Sequence, residues 1–228
     1  MNKDKKLIIY GIGETAEIIA DYFIQDSKYE VVAFTADEEY KKTDLLLGLP
    51  VIPFNEAVQK YPPAEYEMFA AASFGKINRI RTRMYQKGKA LGYKFASYVN
   101  SNAFVWHNAV IGENTFIFEE NVIQYKVKIG NNVILWSGNH IGHQTIIEEN
   151  CFISSHVVIS GFCTIGKNSF LGVNTSFNDG INFGKDSITG NGTIVVRDTE
   201  PGSIYVGSPA KKIKSSYEAF DVKPDQQE

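Results

Sequence analysis

His143 and Gly161 stand eighteen residues apart, in runs reading Ile141-Gly142-His143-Gln144 and Ile159-Ser160-Gly161. An imidazole titrating near pKa 6.5 is a competent general base at neutral pH. A glycine beside it would leave a groove and an accessible backbone N–H. A base next to such a donor suits acyl transfer, because the base takes the nucleophile's proton while the N–H stabilises the developing oxyanion. The alternative is an exposed turn histidine without chemistry. Which reading holds depends on whether the fold brings positions eighteen apart together.

The other candidates are weaker. His107, His140 and His156 complete the histidines. His107 and His143 are thirty-six residues apart, too far along a stacked repeat to share a zinc ion, whose nitrogen ligands must lie within about 4 Å of each other. His140 and His143 flank one corner, but no third His, Cys or acidic ligand is evident beside them, so no metal site is expected. Gly11-Ile12-Gly13-Glu14-Thr15-Ala16 resembles a dinucleotide fingerprint, with Asp37 twenty-four residues after Gly13. Its glycines would let backbone N–H groups approach a phosphate at a helix start. They would equally serve a tight strand-to-helix turn.

The elements that must position these residues begin with a repeat of six. Stepping by six from Val105 through Ile111, Ile117, Ile123 and onward to Val195 meets sixteen positions, and only Thr189 is not apolar. Glycine follows the repeated residue at Gly112, Gly130, Gly142, Gly166, Gly172, Gly184 and Gly190, where a corner suits a residue without Cβ. A period of six is neither helical nor a simple alternation. Hexads of this kind build a parallel β-helix, in which each supplies one short strand and stacked coils bury a column that no single coil could bury. With three hexads per triangular coil, residues 105–195 make five coils without an inserted loop. Residues eighteen apart then stack about 4.8 Å from one another. That ruler puts the His143 imidazole beside Gly161.

Before the repeat, residues 6–10 read as a strand and 17–23 as a helix. Residues 31–34 read as a second strand, 55–60 as a short helix, 68–72 as a third strand and 76–91 as a basic helix. The alternation implies a small Rossmann-like domain over residues 1–98, large enough for a mononucleotide rather than a full NAD site. The β-helix follows over 99–196. A C-terminal extension spans 197–228, with a polar tail from Asp221 expected to be disordered. Outward apolar residues such as Phe116, Phe118 and Trp136 await a partner.

Twenty-three basic against 26 acidic residues give no global field for nucleic acid or an anionic membrane. No run approaches the roughly 18 apolar residues of a membrane span, and four apolar residues after Lys5-Lys6 are too few for a signal peptide. A cytoplasmic protein is expected, with Cys151 and Cys163 as reduced thiols.

From Ile141 to Gly172, and again at Gly207-Ser208-Pro209-Ala210-Lys211, the sequence resembles the hexapeptide-repeat sugar acyltransferases. It is most similar to the branch of bacillosamine-pathway N-acetyltransferases and sialic acid O-acetyltransferases. The resemblance implies a left-handed β-helix behind a nucleotide-binding domain, assembled as a homotrimer. It implies acetyl-CoA held between adjacent β-helices and a UDP-, dTDP- or GDP-linked amino-deoxy sugar as acceptor, in surface polysaccharide or lipopolysaccharide biosynthesis. On it, His143 matches the family's base and Gly161 its thioester-facing amide. The coenzyme groove maps onto Gly161, Val173, Gly190 and Asn191, with Lys211, Lys212 and Lys214 near the phosphates. The nucleotide end maps onto Gly11, Gly13, Thr35 and Asp37. Two departures stand out. Gln144 replaces the acidic residue that follows the base in bacillosamine-type enzymes, so that Gln144 or His140 is left to assist it. Phe152 replaces a second active-site histidine. Sugar O-acetylation, a zinc enzyme of the γ-carbonic-anhydrase type and a non-catalytic nucleotide-sugar scaffold are the alternative functions.

Overall fold

In the computed structural model, which describes residues 3–224, the N-terminal domain begins with β1 (Lys5–Tyr10). Its residues Leu7, Ile8, Ile9 and Tyr10 are all buried, as suits a parallel strand covered on both faces. α1 (Glu14–Gln25), β2 (Tyr29–Ala36), β3 (Leu45–Leu46), β4 (Leu49–Pro53), α2 (Phe54–Lys60), β5 (Tyr66–Ala70) and α3 (Arg79–Ala90) follow. The sheet order is β3-β4-β2-β1-β5, parallel except for the β3–β4 hairpin. The sequence reading misses that hairpin because Leu47 is a poor turn signal. Leu47 and Gly48 nevertheless both take positive φ (49° and 75°), as a two-residue hairpin turn needs.

The β-helix starts at Tyr98–Val99, which pairs with Phe116–Ile117, one residue before the expected boundary. Two-residue strands then pair in parallel with a step of eighteen, as in Val122↔His140 and Phe152↔Phe170. They form the three faces of a left-handed parallel β-helix. The docked face runs through Tyr98, Phe116, Ile134, Phe152 and Phe170. The second runs through Phe104, Val122, His140, Val158 and Ser176, and the third through Val110, Lys128, Ile146, Thr164 and Asn182. The inward hexad residues, from Ile117 to Val195, make one continuous core.

The corner glycines do suit a residue without Cβ, and the reason is packing rather than backbone conformation. None of the seven takes positive φ; a Cβ on Gly142 would lie 2.5 Å from the Ser160 carbonyl carbon, and one on Gly166 would lie 2.5 Å from the Lys185 nitrogen. Close stacking of the next coil excludes the side chain. The left-handed turn residue comes two positions after each of these glycines, at every sixth residue from Asn114 to Gly192.

At the corner between the third and docked faces, those left-handed residues are Asn114, Asn132, Asn150, Asn168 and Asp186. Asparagine tolerates this conformation, and the column forms a hydrogen-bonded ladder. Each Nδ2 donates to the next side-chain oxygen, at 2.7, 2.8, 3.1 and 2.9 Å in succession. The last rung, Asp186, accepts from Arg79 at 2.6 Å, and both are buried. The buried Arg81 donates to Asn132 Oδ1, Asn78 Oδ1 and the carbonyls of Ala72, Ser73, Asn132, Asn150 and Cys151. Burial pulls its pKa down to about 9, which still leaves the guanidinium charged at neutral pH. α3 is thereby fastened to the β-helix.

The docked face explains the outward aromatics. Phe116 and Phe118 are buried, and Tyr22 and Phe23 of α1 pack edge-on against the Phe116 ring at 6.0 and 5.7 Å. The partner that covers them is the chain's own N-terminal domain, with Trp136 partly buried at its margin. The C-terminal expectation is corrected too. A short helix spans Ser216–Phe220, and Val222 is buried against Ile77, Ile188 and Ile204. Residues 225–228 of the expected disordered tail lie outside the described residues, as do Met1 and Asn2.

Replacing Arg81 by Met would strand its buried acceptors. The expected cost is about 3–5 kcal/mol, seen as a melting midpoint lowered by about 10 °C in calorimetry of the purified protein.

Candidate active site

His143 lies on the corner between the second and third faces, in a shallow groove of about 490 Å³. Phe104, Trp106, Val122, Tyr125 and Phe162 supply its apolar walls. The column at this corner is His107, Tyr125, His143, Gly161 and Asp179, each eighteen residues from the last. A Cβ added to Gly161 would lie 2.4 Å from His143 Cε1 and 2.7 Å from Nε2. The imidazole therefore occupies the space that glycine leaves, as the ruler requires. Phe162 closes one side, its ring edge-on at 4.9 Å.

The hydrogen bond that fixes the His143 backbone comes from the preceding coil. Gln144 adopts φ +59°, and its side chain makes no hydrogen bond among the described residues. Gln124, one coil earlier, accepts from the His143 backbone N–H at 3.0 Å. His140 lies outward on the second face between Val122 and Val158. The Gly161 N–H is not free: it donates to Asp179 Oδ1 at 2.8 Å. Gln124, Tyr125, Phe162 and Asp179 were all within reach of sequence reasoning, since three of them lie within a residue of His143 or Gly161 on the eighteen-residue ruler and Phe162 is next in the chain to Gly161.

Other expected coenzyme residues lie elsewhere. Val173, Gly190 and Asn191 occupy the corner between the docked and second faces, where Val173 N donates to Asn191 Oδ1 at 3.0 Å. Within one chain they do not share a groove with Gly161. Lys211 and Lys212 open the last strand, Lys211–Ser215, and the Lys212 ammonium is paired with Glu200 at 2.6 Å.

The expected nucleotide residues divide similarly. Gly11 is required by packing: its φ is +137°, and a Cβ there would lie 2.2 Å from the Ala71 carbonyl oxygen. A Cβ on Gly13 would meet nothing within 4 Å, so that position borders open space at the start of α1. Thr35 is fully buried, its hydroxyl donating to the Ile52 carbonyl at 2.8 Å, so its side chain presents no open surface. Asp37 lines a pocket at the C-terminal ends of β2 and β4 with Asn55, Arg83 and Lys87. Burial disfavours its charge, but hydrogen bonds from Lys87 and Tyr10, with Arg83 nearby, hold the carboxyl below its usual range.

A second groove lies where the two domains meet. Glu14 and Thr15 from the start of α1, Phe74 from the loop before α3, and Trp136, Phe152 and Val173 from the β-helix line it. The unsatisfied N–H groups of the first turn of α1 are those nearest it. Phe152 packs against Phe74 and Phe170 at 5.6 Å from each, in an aromatic wall. Among the described residues, no three His, Cys, Asp or Glu side chains converge as metal ligands. Both cysteines are buried and unpaired, and burial pushes the Cys151 thiol up to about 12.

Two family models match the sequence. Residues 6–87 fit the PglD N-terminal domain, and residues 126–161 fit the bacterial transferase hexapeptide, six repeats. The chain thus carries a segment similar to the PglD N-terminal domain ahead of hexapeptide repeats. Solved structures share that whole architecture. The acetyltransferase domain of PglB from Neisseria gonorrhoeae FA1090 superposes with TM-score 0.83 at 24% identity, over 92% of this chain and 100% of that one. PerB from Caulobacter crescentus, in complex with CoA and GDP-perosamine, gives 0.82 at 23% identity, over 92% and 97%. WeeI from Acinetobacter baumannii AYE gives 0.78 at 18% identity, over 92% and 100%. The PglD-type domain and the hexapeptide coils thus keep a common arrangement at low identity.

Replacing Gly161 by Ala in this hexapeptide-repeat protein would push the imidazole off its seat. Because the clash is with a movable ring rather than backbone, the melting temperature should change little. The His143 ring resonances in NMR should shift clearly.

Proposed function

We propose that the protein is an acetyl-CoA-dependent N-acetyltransferase acting on a nucleotide-linked amino-deoxy sugar. The single observation that carries this reading is the seating of the His143 imidazole against Gly161 in an exposed apolar groove. PerB, of the same fold, is a protein solved with CoA and GDP-perosamine, and PglB's domain is an acetyltransferase solved with acetyl coenzyme A.

In the reaction, the acceptor amine attacks the thioester carbonyl carbon. The C–N bond forms, His143 takes the amine proton, and the Gly161 N–H receives the oxyanion. Collapse of that intermediate breaks the C–S bond and releases CoA, as thiolate or as thiol after proton return from His143. The nucleotide occupies the C-terminal edge of the N-terminal sheet, with Asp37, Arg83 and Lys87 at one end and the start of α1 at the other.

Geometry gives this reading a requirement. The interdomain groove opens at the corner of the docked and second faces, whereas His143 lies at the other end of the second face. One chain therefore holds the acceptor groove and the base on different corners. A second copy that sets its His143 corner against the groove would complete the site. Phe104, Trp106, Tyr125 and Phe162, each between 42% and 56% exposed, form the apolar surface that such a contact would cover. The trimer is the closed ring that repeats this heterologous contact.

Thiol release from acetyl-CoA, measured with a panel of UDP-, dTDP- and GDP-linked amino sugars, tests the reaction. Turnover is expected with one nucleotide, and His143→Ala should lower kcat by about 10²–10⁴-fold. Turnover untouched by that substitution would remove His143 as the base. Light scattering should give three times the monomer mass of 25.5 kDa; a monomer active at nanomolar concentration would contradict the shared site.

A further inference from the structure

Gly161 packs against the His143 imidazole, and its N–H already has an acceptor. Asp179 Oδ1 lies 2.8 Å from it, one coil further along the same corner. Capping a corner amide from the next coil is a device used elsewhere in this β-helix: Asn131 caps Glu113 N at 3.0 Å, and Asn191 caps Val173 N at 3.0 Å. Those caps are neutral side chains, although Glu148 and Asp198 also accept from backbone N–H groups, those of Lys167 and Asn182, at 2.9 and 2.8 Å. At the His143 corner the cap is a carboxylate, and it is exposed, with no hydrogen bond other than that to the amide among the described residues. The same amide cannot donate a linear hydrogen bond to a carboxylate and to a thioester carbonyl at once. A carboxylate that stayed would also oppose the charge that grows on the oxyanion.

We infer that Asp179 is a positioning residue that masks the Gly161 N–H between turnovers, and that the thioester carbonyl of the acyl donor must displace it. This rests on the acyltransferase reading above and adds to it a determinant of donor selectivity. Free CoA has no carbonyl at that point, so it leaves the Asp179–Gly161 hydrogen bond intact. Acetyl-CoA gains the amide only by breaking that bond. The mask therefore narrows the difference in affinity between acetyl-CoA and CoA. Because displacement is required equally for the bound ground state and the transition state, removing the mask lowers KM without raising kcat.

The test is calorimetric titration of the full-length protein with acetyl-CoA and with CoA, for wild type, Asp179→Ala and Asp179→Asn, together with kcat and KM for acetyl-CoA. In Asp179→Ala the preference for acetyl-CoA over CoA should widen by about fivefold, with KM falling by a similar factor and kcat nearly constant. Asp179→Asn keeps a neutral acceptor of the same shape, so it should fall between wild type and Ala; it also serves if the Ala variant does not fold. An unchanged acetyl-CoA to CoA ratio in the substituted protein, with thiol release still dependent on His143, would overturn the mask and leave the acyltransferase reading standing. Absence of acetyl-CoA binding in wild type would overturn both.

Discussion

The asparagine ladder is the interaction on which the rest of the structure depends. A left-handed turn at every sixth residue is costly for most side chains, and at one corner the chain answers it with Asn114, Asn132, Asn150, Asn168 and Asp186. Each side chain satisfies the next, so that polar atoms sealed between coils are paired along the whole column. The ladder also ends in charge, at Asp186 and Arg79, and receives Arg81 along its side. A buried guanidinium surrounded by carbonyls has no second arrangement of equal quality. The attachment of the N-terminal domain is therefore as definite as the register of the coils.

Because that attachment is rigid, two aromatic populations separate. Phe116, Phe118 and Phe152 are consumed by the domain contact and by the wall of the interdomain groove. Phe104, Trp106, Tyr125 and Phe162 stay outside, around His143. The same residue types thus serve intramolecular docking on one face and stay exposed on another. The corner columns likewise divide labour: one column holds the domains together and another carries the imidazole.

Much of the fold was legible in the sequence because its period is. The hexads fix which residues face inward, and the step of eighteen predicts both the strand pairing and the contact of His143 with Gly161. Legibility failed where two residues of the same type serve different needs. Gly142 and Gly166 look like turn glycines but are stacking glycines, because nothing in one coil's sequence reports how near the next coil's backbone comes. Thr35 sits at a strand end where ligand contacts are common, and only tertiary structure directs its hydroxyl to Ile52. Asp179 was on the ruler, but a side chain's choice of a backbone donor is not a matter of periodicity. The β3–β4 hairpin escaped because Leu47 takes a conformation that its type disfavours.

The absence of any inserted loop in residues 105–195 has an evolutionary consequence. A strand added or lost singly would rotate every later residue by one face, leaving the hexad residues inward but breaking the eighteen-residue columns and sending the ladder to a different corner. Length can therefore change only in whole coils. A coil gained outside the stretch between His143 and Asp179 would leave their stacking intact, while one gained between His143 and Gly161 would part the imidazole from its glycine. The column could lengthen at either end, but the coils that stack His143, Gly161 and Asp179 are fixed in number.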